Sequence, residues 1–507
     1  MCLGDFPLGI SEYNGAMNYG FIIDNRKCIG CHACTVACKQ EHELPIGVNR
    51  TWVKYVEKGE FPNTRRVFSV MRCNHCADAP CVEICPVLAL WQRNDGIVDF
   101  DGGRCIGCKA CMQACPYDAI YIHPDDQTAA KCNYCAHRVE VGLQPPCVTV
   151  CPEHAIIAGD MDEPSSEIAQ MLGRHQVQVR KPEKGTRPKV YYIEGDAASL
   201  SPLYAATPEG YLWSEIPRRV YQISPPRLEE AESEARRVYD QGQSHTESWG
   251  WKVAAYLVTK SIAAGIPLFA FVSNLYTGTL DFTPAQCVAS ILFLLITTIF
   301  LITDLRQPKR FHWILFRPQW RSWLTRGAFL LIGFGGLLGL NLLFGPILGT
   351  PSAFQLTFYL IVPFAFGSAV YSAFLFWQAK GRDFWQSPLF AVHLVVMALL
   401  AGSAATIILD DLTPTVDTVL FWMLILHGTL IIFDLTAIHS TQDAKLAAGY
   451  LYRKNSLFWI GGILLGIILP LLLLSLEITG AAGLIALLGL YCYERAWVRA
   501  GQVVPLS

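Results

Sequence analysis

The fold of the first third of this chain is decided by the stretch Cys28-Ile29-Gly30-Cys31-His32-Ala33-Cys34-Thr35-Val36-Ala37-Cys38 and by its repetition. The same spacing returns in Cys105-Ile106-Gly107-Cys108-Lys109-Ala110-Cys111-Met112-Gln113-Ala114-Cys115-Pro116. Two further quartets contain one longer gap and read Cys73-Cys76-Cys81-Cys85 and Cys132-Cys135-Cys147-Cys151. Of the 19 cysteines, 16 belong to these four quartets, and every quartet ends after a three-residue gap.

This spacing is chemically specific. In bacterial ferredoxins, the run C-x2-C-x2-C-x3-C-P brings three cysteines to one iron–sulfur cluster, while the fourth cysteine ligates a second cluster. Proline follows the last cysteine of three quartets (Pro86, Pro116 and Pro152) and interrupts the helical hydrogen-bond pattern there. The 16 thiolates match the ligand count of four [4Fe-4S] clusters.

Two alternatives use the same residue type. Zinc sites take four ligands per ion, usually as two separated pairs, whereas these cysteines come as triplets plus one. A disulfide framework is typical of small secreted domains, but this chain has 507 residues and a strongly apolar half. Iron–sulfur clusters are therefore favoured, and Cys2, Cys287 and Cys492 lie outside the pattern with no predicted role.

Composition divides the chain into three predicted parts. The first is an α+β double ferredoxin-like iron–sulfur domain over 1–195, followed by a polar connector over 196–248 with a charged helix at 227–241. The third is an all-α transmembrane bundle over 249–507. A net charge of −2 without a basic stripe argues against nucleic acid as a partner. The first twenty residues lack the pattern of a secretion signal, so we expect no export signal in this chain.

Eight apolar runs of the third part are long enough to span a bilayer. They predict helices at 249–274, 286–304, 327–347, 354–378, 388–408, 416–437, 456–476 and 479–498. An even number of spans places both ends of the bundle on one side, and the basic residues of the connecting segments fall on that side. These are Arg306, Lys309, Arg310, Arg317, Arg321, Arg326, Lys380, Arg382, Lys445, Arg453 and Lys454. The positive-inside rule then predicts a multi-pass protein of the cell (inner) membrane whose iron–sulfur domain faces the cytoplasm.

Ionisable side chains inside a bilayer are costly and are therefore candidates for function. From the helix directions, six polar side chains lie in the half of the membrane that faces the cluster domain: Tyr256, Lys260, Asp304, Tyr371, His393 and Asp434. A quinone needs groups that hydrogen-bond two carbonyls and exchange two protons near a one-electron carrier. We therefore predict a site for menaquinone or ubiquinone among these residues.

Structural roles compete with this interpretation. The Lys260 ammonium could snorkel toward the headgroups, and Asp304 could form an ion pair with Arg306 or Arg310. The imidazoles of His393 and of the mid-membrane His427 could hydrogen-bond a neighbouring helix.

In order and spacing, the four quartets resemble the iron–sulfur subunits of the dimethyl sulfoxide reductase superfamily, including polysulfide reductase, over about residues 20–215. In that family the first motif pairs with the fourth and the second with the third. The resemblance implies four ligand sets: Cys28, Cys31 and Cys34 with Cys151 (the Cys28 set); Cys132, Cys135 and Cys147 with Cys38 (the Cys132 set); Cys73, Cys76 and Cys81 with Cys115 (the Cys73 set); and Cys105, Cys108 and Cys111 with Cys85 (the Cys105 set). Some relatives lack the cysteine equivalent to Cys108 and hold a three-iron cluster, so its presence implies a full cubane.

The membrane half resembles the eight-helix quinol-oxidising anchor of polysulfide reductase over about 250–500, most specifically in Asp304-Leu305-Arg306-Gln307-Pro308-Lys309-Arg310-Phe311 and Arg317-Pro318-Gln319-Trp320-Arg321-Ser322-Trp323-Leu324. In that family the two parts are often separate chains, and here they are fused. The resemblance implies a further partner, a catalytic subunit holding a molybdenum or tungsten bis-pterin cofactor. Family members commonly place the cluster subunit outside the cytoplasm, in conflict with the charge bias, which we follow.

The sequence thus predicts an electron-transfer and membrane-anchor subunit of an oxidoreductase complex, with quinone oxidation or reduction in its membrane half. The expected substrate of the complex is a sulfur compound, such as polysulfide, sulfite, thiosulfate or dimethyl sulfoxide, or formate. The alternative is a redox-driven ion-translocating module of a quinol-oxidising respiratory complex, for which His427 and Asp434 are the candidate residues.

Overall fold

The first part of the chain is built on short strands and helices of one or two turns. The computed structural model describes residues 17–205, 235–240, 248–409, 414–437 and 439–507. The strands are β1 Tyr19–Asp24, β2 Thr51–Lys58, β3 Arg65–Arg72, β4 Leu90–Gln92, β5 Val98–Phe100, β6 Ile120–Ile122, β7 Ala129–Lys131, β8 Ile156–Asp160, β9 Val177–Gln178, β10 Val190–Ile193 and β11 Ala235–Tyr239. The helices are α1 Ala33–Glu41, α2 Pro80–Ile84, α3 Ala110–Ala114, α4 Ala136–Val139, α5 Pro146–Thr149, α6 Glu167–Arg174 and α7 Ala197–Leu200.

Two sheets and two hairpins organise this domain. The largest sheet has the strand order β8-β1-β10-β9, in which β1 and β10 run parallel and the other neighbours antiparallel. Because β1 lies in the interior of this sheet, its apolar run is buried on both faces, and Phe21, Ile22 and Ile23 are almost fully buried. The motif helices α2 and α3 are each followed by a hairpin, β4-β5 and β6-β7. The second and third quartets are therefore carried on a repeated structural unit.

The predicted charged helix at 227–241 is wrong where the structure describes it. Ala235–Tyr239 form β11, which pairs antiparallel with β2, whereas residues 227–234 and 241 lie outside the described residues. The burial alternates along β11 with Ala235 buried and Arg236 exposed, a period of two that fits a strand and not a helix. Arg236 forms an ion pair with Glu57 on β2. At least one of the charges that suggested a solvated helix, that of Arg236, is thus paired across strands.

The second part is a helical bundle. Its helices are α8 Trp251–Thr277, α9 Pro284–Asp304, α10 Trp313–Phe316, α11 Trp323–Leu342, α12 Pro351–Gln378, α13 Phe390–Leu409, α14 Pro414–Thr436, α15 Gln442–Lys454, α16 Leu469–Ser475 and α17 Thr479–Val503, with a π-helical stretch at Leu457–Ile468 that continues into α16. Seven helices of the described residues are long and apolar enough to cross a membrane, and they coincide with the first seven predicted spans. The eighth predicted span is α17, whose apolar character is interrupted by Glu494 and Arg495.

Helix α8 occupies the middle of the bundle. It packs against α9, α12, α13 and α17 and is buried over most of its length. Gly265 on α8 faces Gly402 on α13, and a Cβ atom added to Gly265 would lie 1.8 Å from the carbonyl oxygen of Ala398. The two helix backbones therefore touch, which only residues without a side chain permit.

The iron–sulfur domain sits directly on one end of the bundle. The backbone N–H groups of Arg306 and Gln307, just after α9, donate to the carbonyl oxygens of Gly107 and Ile106 at 3.2 and 3.1 Å. A Cβ atom on Gly107, which has a φ of +68°, would lie 2.5 Å from the Cβ of Arg306. One hydrophobic core runs without interruption from the motif helices α2 and α3 into the bundle. The third cysteine quartet is thus held against the membrane half.

Candidate functional site

Three small cavities of the iron–sulfur domain are each lined by four cysteines. The first contains Cys28, Cys31, Cys34 and Cys151; the second contains Cys38, Cys132, Cys135 and Cys147; and the third contains Cys85, Cys105, Cys108 and Cys111. In each cavity three cysteines come from one quartet and the fourth from its partner quartet. This grouping coincides with the ligand sets that the family resemblance implies.

The remaining cysteines lie together as well. Burial raises the pKa of the Cys76 and Cys81 thiols, and their neighbours Cys73 and Cys115 raise it further. Buried thiols this close to one another become thiolates only when a compensating positive charge is present, which bound iron supplies. The composition of this group is that of the Cys73 set.

The arrangement of the thiols fits a polynuclear cluster better than a single ion. Every described cysteine is free. Among the residues that the structure describes, no three His, Cys, Asp or Glu side chains converge closely enough to ligate one metal ion. The four sulfurs instead surround a space, and several accept backbone N–H groups, such as those of Gly107 to Cys105 Sγ and Ala89 to Cys85 Sγ, both at 3.3 Å. Such hydrogen bonds are typical of iron–sulfur sites.

The four sets form a linear series. Cys34 of the Cys28 set interacts electrostatically with Cys147 of the Cys132 set. Cys132 in turn interacts with Cys73, and Cys81 of the Cys73 set with Cys111 of the Cys105 set. The series begins near the surface, where Cys31 is exposed. It ends at Cys108, next to the membrane helices.

A large cavity of about 460 Å³ lies where the Cys105 set meets the bundle. Its walls come from α8, α9, α11 and α12, and Cys108 lines both this cavity and its own cysteine cavity. Apolar side chains dominate the lining, and two of them, Leu295 and Ile332, are also exposed on the outer surface of the bundle. The cavity is therefore within the size range of cofactor and substrate sites and adjoins the lipid-facing surface.

Three of the six predicted quinone-site residues line this cavity: Tyr256, Asp304 and Tyr371. Asp304 Oδ2 lies 2.8 Å from the ammonium of Lys109, the residue after Cys108. Trp249 also lines the cavity, and its indole Nε1–H donates to the carbonyl oxygen of Cys108 at 3.2 Å. The polar groups of the cavity are thus tied directly to the last cysteine set.

Lys260 lies behind the cavity wall and does not line it. Its ammonium is fully buried and donates to the carbonyl oxygen of Ala369 at 2.9 Å and to Ser372 Oγ at 2.7 Å. It also lies 4.9 Å from the centre of the Tyr371 ring and interacts electrostatically with Glu494 on α17. The snorkelling alternative is therefore wrong, because the side chain points into the bundle.

His393 and Asp434 belong to a different part of the bundle. His393 Nε2 and His427 Nδ1 are 2.8 Å apart and share a hydrogen bond between α13 and α14, with the Tyr493 ring packed against both. Asp434 accepts from Ser387 Oγ at 3.1 Å. The structure therefore does not bring these two residues to the cavity that Tyr256 and Tyr371 line.

Sequence reasoning missed Lys109, Trp249 and Glu494. Lys109 stands directly beside a cysteine ligand, and Trp249 opens the first predicted span at the membrane surface, so both positions carried a signal. Glu494 lies inside the eighth predicted span, where a carboxylate is as costly as the lysine that was selected. The sequence does not show which other side chains these three residues contact in the folded protein.

Residues 240–498, slightly more than half of the chain, match the polysulphide reductase, NrfD family. The chain belongs to this family. Residues 65–161 in addition match the 4Fe-4S dicluster domain. An iron–sulfur domain and an NrfD domain are therefore joined in one chain, which confirms the predicted fusion.

Curated relatives resemble the iron–sulfur part. A tetrathionate reductase subunit of Salmonella typhimurium is 44% identical over 217 residues, which cover 42% of this chain and 86% of that protein. A polysulfide reductase subunit of Wolinella succinogenes is 39% identical over 183 residues, 35% of this chain and 95% of that protein. The arsenate respiratory reductase iron-sulfur subunit ArrB of Shewanella sp. (strain ANA-3) is 33% identical over 225 residues, 35% of this chain and 96% of that protein. This protein is an iron–sulfur electron-transfer subunit that carries its own multi-pass membrane anchor.

Proposed function

We propose that this protein passes electrons through four [4Fe-4S] clusters between a separate catalytic subunit and a quinone bound in the 460 Å³ cavity. The observation that carries the proposal is the linear series of cysteine sets, which runs from the exposed Cys31 to Cys108 in the cavity wall. Each bound cluster accepts and releases one electron. The pairing of α1 with α5 and of α2 with α3 supports a two-lobed, double ferredoxin-like domain, with two sets in each lobe.

The cavity has the chemistry that a quinone requires. The Tyr256 and Tyr371 hydroxyls can donate to quinone carbonyls, and the Asp304 carboxylate can accept a proton released by a quinol. Oxidation of one quinol releases two protons and two electrons, and Cys108 lines the cavity, so the cluster that it would ligate could receive the electrons one at a time. The apolar walls and the lipid-facing Leu295 and Ile332 suit an isoprenoid tail that enters from the bilayer.

The outer end of the series suits a protein partner. Exposed apolar side chains lie next to cysteines of the Cys28 set along the chain, among them Ile29, Val36 and Val150. Patches of this kind mark protein interfaces. We propose that a catalytic subunit with a molybdenum or tungsten bis-pterin cofactor docks there, as the family resemblance implies; the relatives bear the names tetrathionate reductase and polysulfide reductase. Its substrate would then be a sulfur compound.

This proposal makes a direct prediction for the purified protein. The full-length chain, purified without oxygen, should contain about 16 iron and about 16 sulfide per chain, as four cubane clusters require. Dithionite-reduced protein should be reoxidised by a water-soluble menaquinone analogue, which absorbance of the clusters follows. Far fewer irons, or zinc in their place, would contradict the cluster count. Full iron content without reoxidation would contradict the quinone site.

We further propose that the bundle crosses the membrane eight times, with α17 as the last span, and that the iron–sulfur domain faces the cytoplasm. The basic loops at Arg306–Arg326 and Lys380–Arg382 lie at the end of the bundle that contacts this domain. Basic loops are retained in the cytoplasm. Reporter fusions after α9 and within the 276–285 loop should therefore give cytoplasmic and external signals, respectively, and the reverse pattern would place the clusters outside.

A second candidate function is redox-driven ion translocation. One observation favours it: Lys260, Glu494, His393 and His427 are buried in the bundle beyond the cavity, on four different helices. Buried ionisable groups of this kind occur in proton relays. Proteoliposomes containing the complete complex would separate the two functions, since a simple anchor moves no charge beyond the protons of the quinone.

A further inference from the structure

Two buried cations occupy the gaps between neighbouring cysteine sets. Arg72, at the end of β3, is 1% exposed, and Lys131, at the end of β7, is 0% exposed. Each directly precedes the first cysteine of a quartet, Cys73 and Cys132 respectively. Neither residue touches the large cavity or the outer surface.

Arg72 lies between the Cys28 set and the Cys132 set. Its Nη1 donates to Cys147 Sγ at 3.4 Å, its Nη2 donates to Thr51 Oγ1 at 3.2 Å, and its guanidinium stacks 4.3 Å from the centre of the Phe21 ring. Its strongest charge partners are Cys147 and Cys132 of one set and Cys34 of the other. The guanidinium therefore faces the sulfurs of both sets.

Lys131 occupies the next gap, between the Cys132 set and the Cys73 set. Its ammonium donates to the carbonyl oxygens of Cys132, at 2.9 Å, and of Val98. It also interacts electrostatically with Cys73 and Cys81. One cation thus stands at each of the first two steps of the series, counted from the exposed Cys28 set.

These cations lack the counter-ions that buried charges normally have. Within the part of the chain that the structure describes, neither Arg72 nor Lys131 forms an ion pair with an Asp or Glu. Lys109, beside the Cys105 set, differs because Asp304 neutralises it. An unpaired buried charge is strongly unfavourable, so the sites of Arg72 and Lys131 are built for an anion at the cysteine sets.

We propose that Arg72 and Lys131 are the counter-ions of the clusters on either side of them and that they raise the reduction potentials of those clusters. A cubane with four thiolates carries net negative charge, and reduction adds one electron and no proton, so the reduced form is the more negative. A fixed cation in a poorly screened interior stabilises that form more than the oxidised form. The inference rests on the proposed function, because it requires clusters at all three sets.

Charge-removing and charge-keeping variants test this inference in the full-length protein. Arg72→Gln and Lys131→Gln should each shift the midpoint potentials of the two flanking clusters downward in dithionite titrations followed by EPR. Arg72→Lys and Lys131→Arg should keep most of the wild-type potentials. The matched control is Lys54→Met, because Lys54 is an equally buried lysine of β2 whose charge partner is Asp240, at 3.8 Å, and not a cysteine.

Each outcome is informative. Unchanged potentials in both Gln variants with full iron content would overturn the inference. If a Gln variant loses iron, the charge-keeping variant at the same position is compared with it. Retained iron in the charge-keeping variant supports the counter-ion role. Equal loss of iron in both variants contradicts it. Wild-type protein without four clusters would defeat the proposed function itself, whereas wild-type protein with four clusters and insensitive potentials would defeat only this inference.

Discussion

Cys108→Ala should nearly abolish electron exchange with quinone while leaving most of the iron in place. Cys108 lines both its cysteine cavity and the 460 Å³ cavity, so the variant removes a ligand from the cluster nearest the proposed quinone. We expect quinone-linked turnover to fall at least about 100-fold. Loss of a residue that only supports a metal ligand already costs up to about 100-fold, and loss of the ligand itself should cost at least as much. EPR of the reduced protein should report three unaltered clusters and a three-iron signal from the fourth.

The chain offers a matched control for this variant. Cys287 is also a buried cysteine, but it lies near the start of α9, and its thiol donates to the carbonyl oxygen of Leu338 at 3.4 Å. Cys287→Ala should leave both the cluster signals and the turnover unchanged. Wild-type turnover in the Cys108 variant would mean that electrons reach quinone from another set.

Asp304→Asn is expected to have the next largest effect. The substitution keeps the shape of the side chain but removes the charge that neutralises Lys109 at 2.8 Å and the only carboxylate among the described residues that line the cavity. Because general acid–base groups typically contribute 10²- to 10⁴-fold, quinone-linked turnover should fall by about 100-fold or more, with full iron content. Steady-state quinol oxidation measures the turnover, and iron analysis of the same preparation measures the iron content.

A double variant separates a role of Asp304 in proton transfer from a role in holding the two domains together. If Asp304 only held the two domains together, Lys109→Met combined with Asp304→Leu would remove both charges and restore activity along with stability. We expect restored stability without restored turnover. Asp281→Asn, in the exposed loop at the opposite end of the bundle, is the control and should behave as wild type. Normal turnover in Asp304→Asn would exclude the carboxylate from proton transfer.

The contrast between Lys109 and Lys131 links these predictions to the electron path. Both lysines flank cysteines of the quartets, yet within the described residues only Lys109 has a carboxylate partner, and that partner, Asp304, lines the cavity. Lys131 faces sulfur and backbone oxygens. A neutralised pair near the cavity and unpaired cations between the outer sets would give the two ends of the series different electrostatic surroundings.

The amino-acid sequence by itself determined the cysteine quartets and the apolar helices. The C-x2-C-x2-C-x3-C spacing confines the first and third quartets to 11 residues each, so the local geometry of these two quartets follows from the chain connectivity. The first seven predicted spans coincide with helices for a similar reason, since about twenty consecutive apolar residues have few other stable states in lipid. The strand at 235–239 was mispredicted because it pairs with β2, a partner that is distant in sequence, and its Arg236 forms an ion pair with Glu57 of that strand.

Only the tertiary structure decided which polar residues share a site. The transmembrane helices are apolar nearly all round, so their rotation is set by packing contacts such as Gly265 against Gly402, and no period in the sequence reports it. That rotation places Tyr256 and Tyr371 in the cavity and leaves His393 with His427. The pairing of Lys109 with Asp304 likewise joins two domains that are far apart along the chain. Chain connectivity thus brings three cysteines of each set together, whereas long-range packing supplies the fourth and defines where electrons and protons can meet.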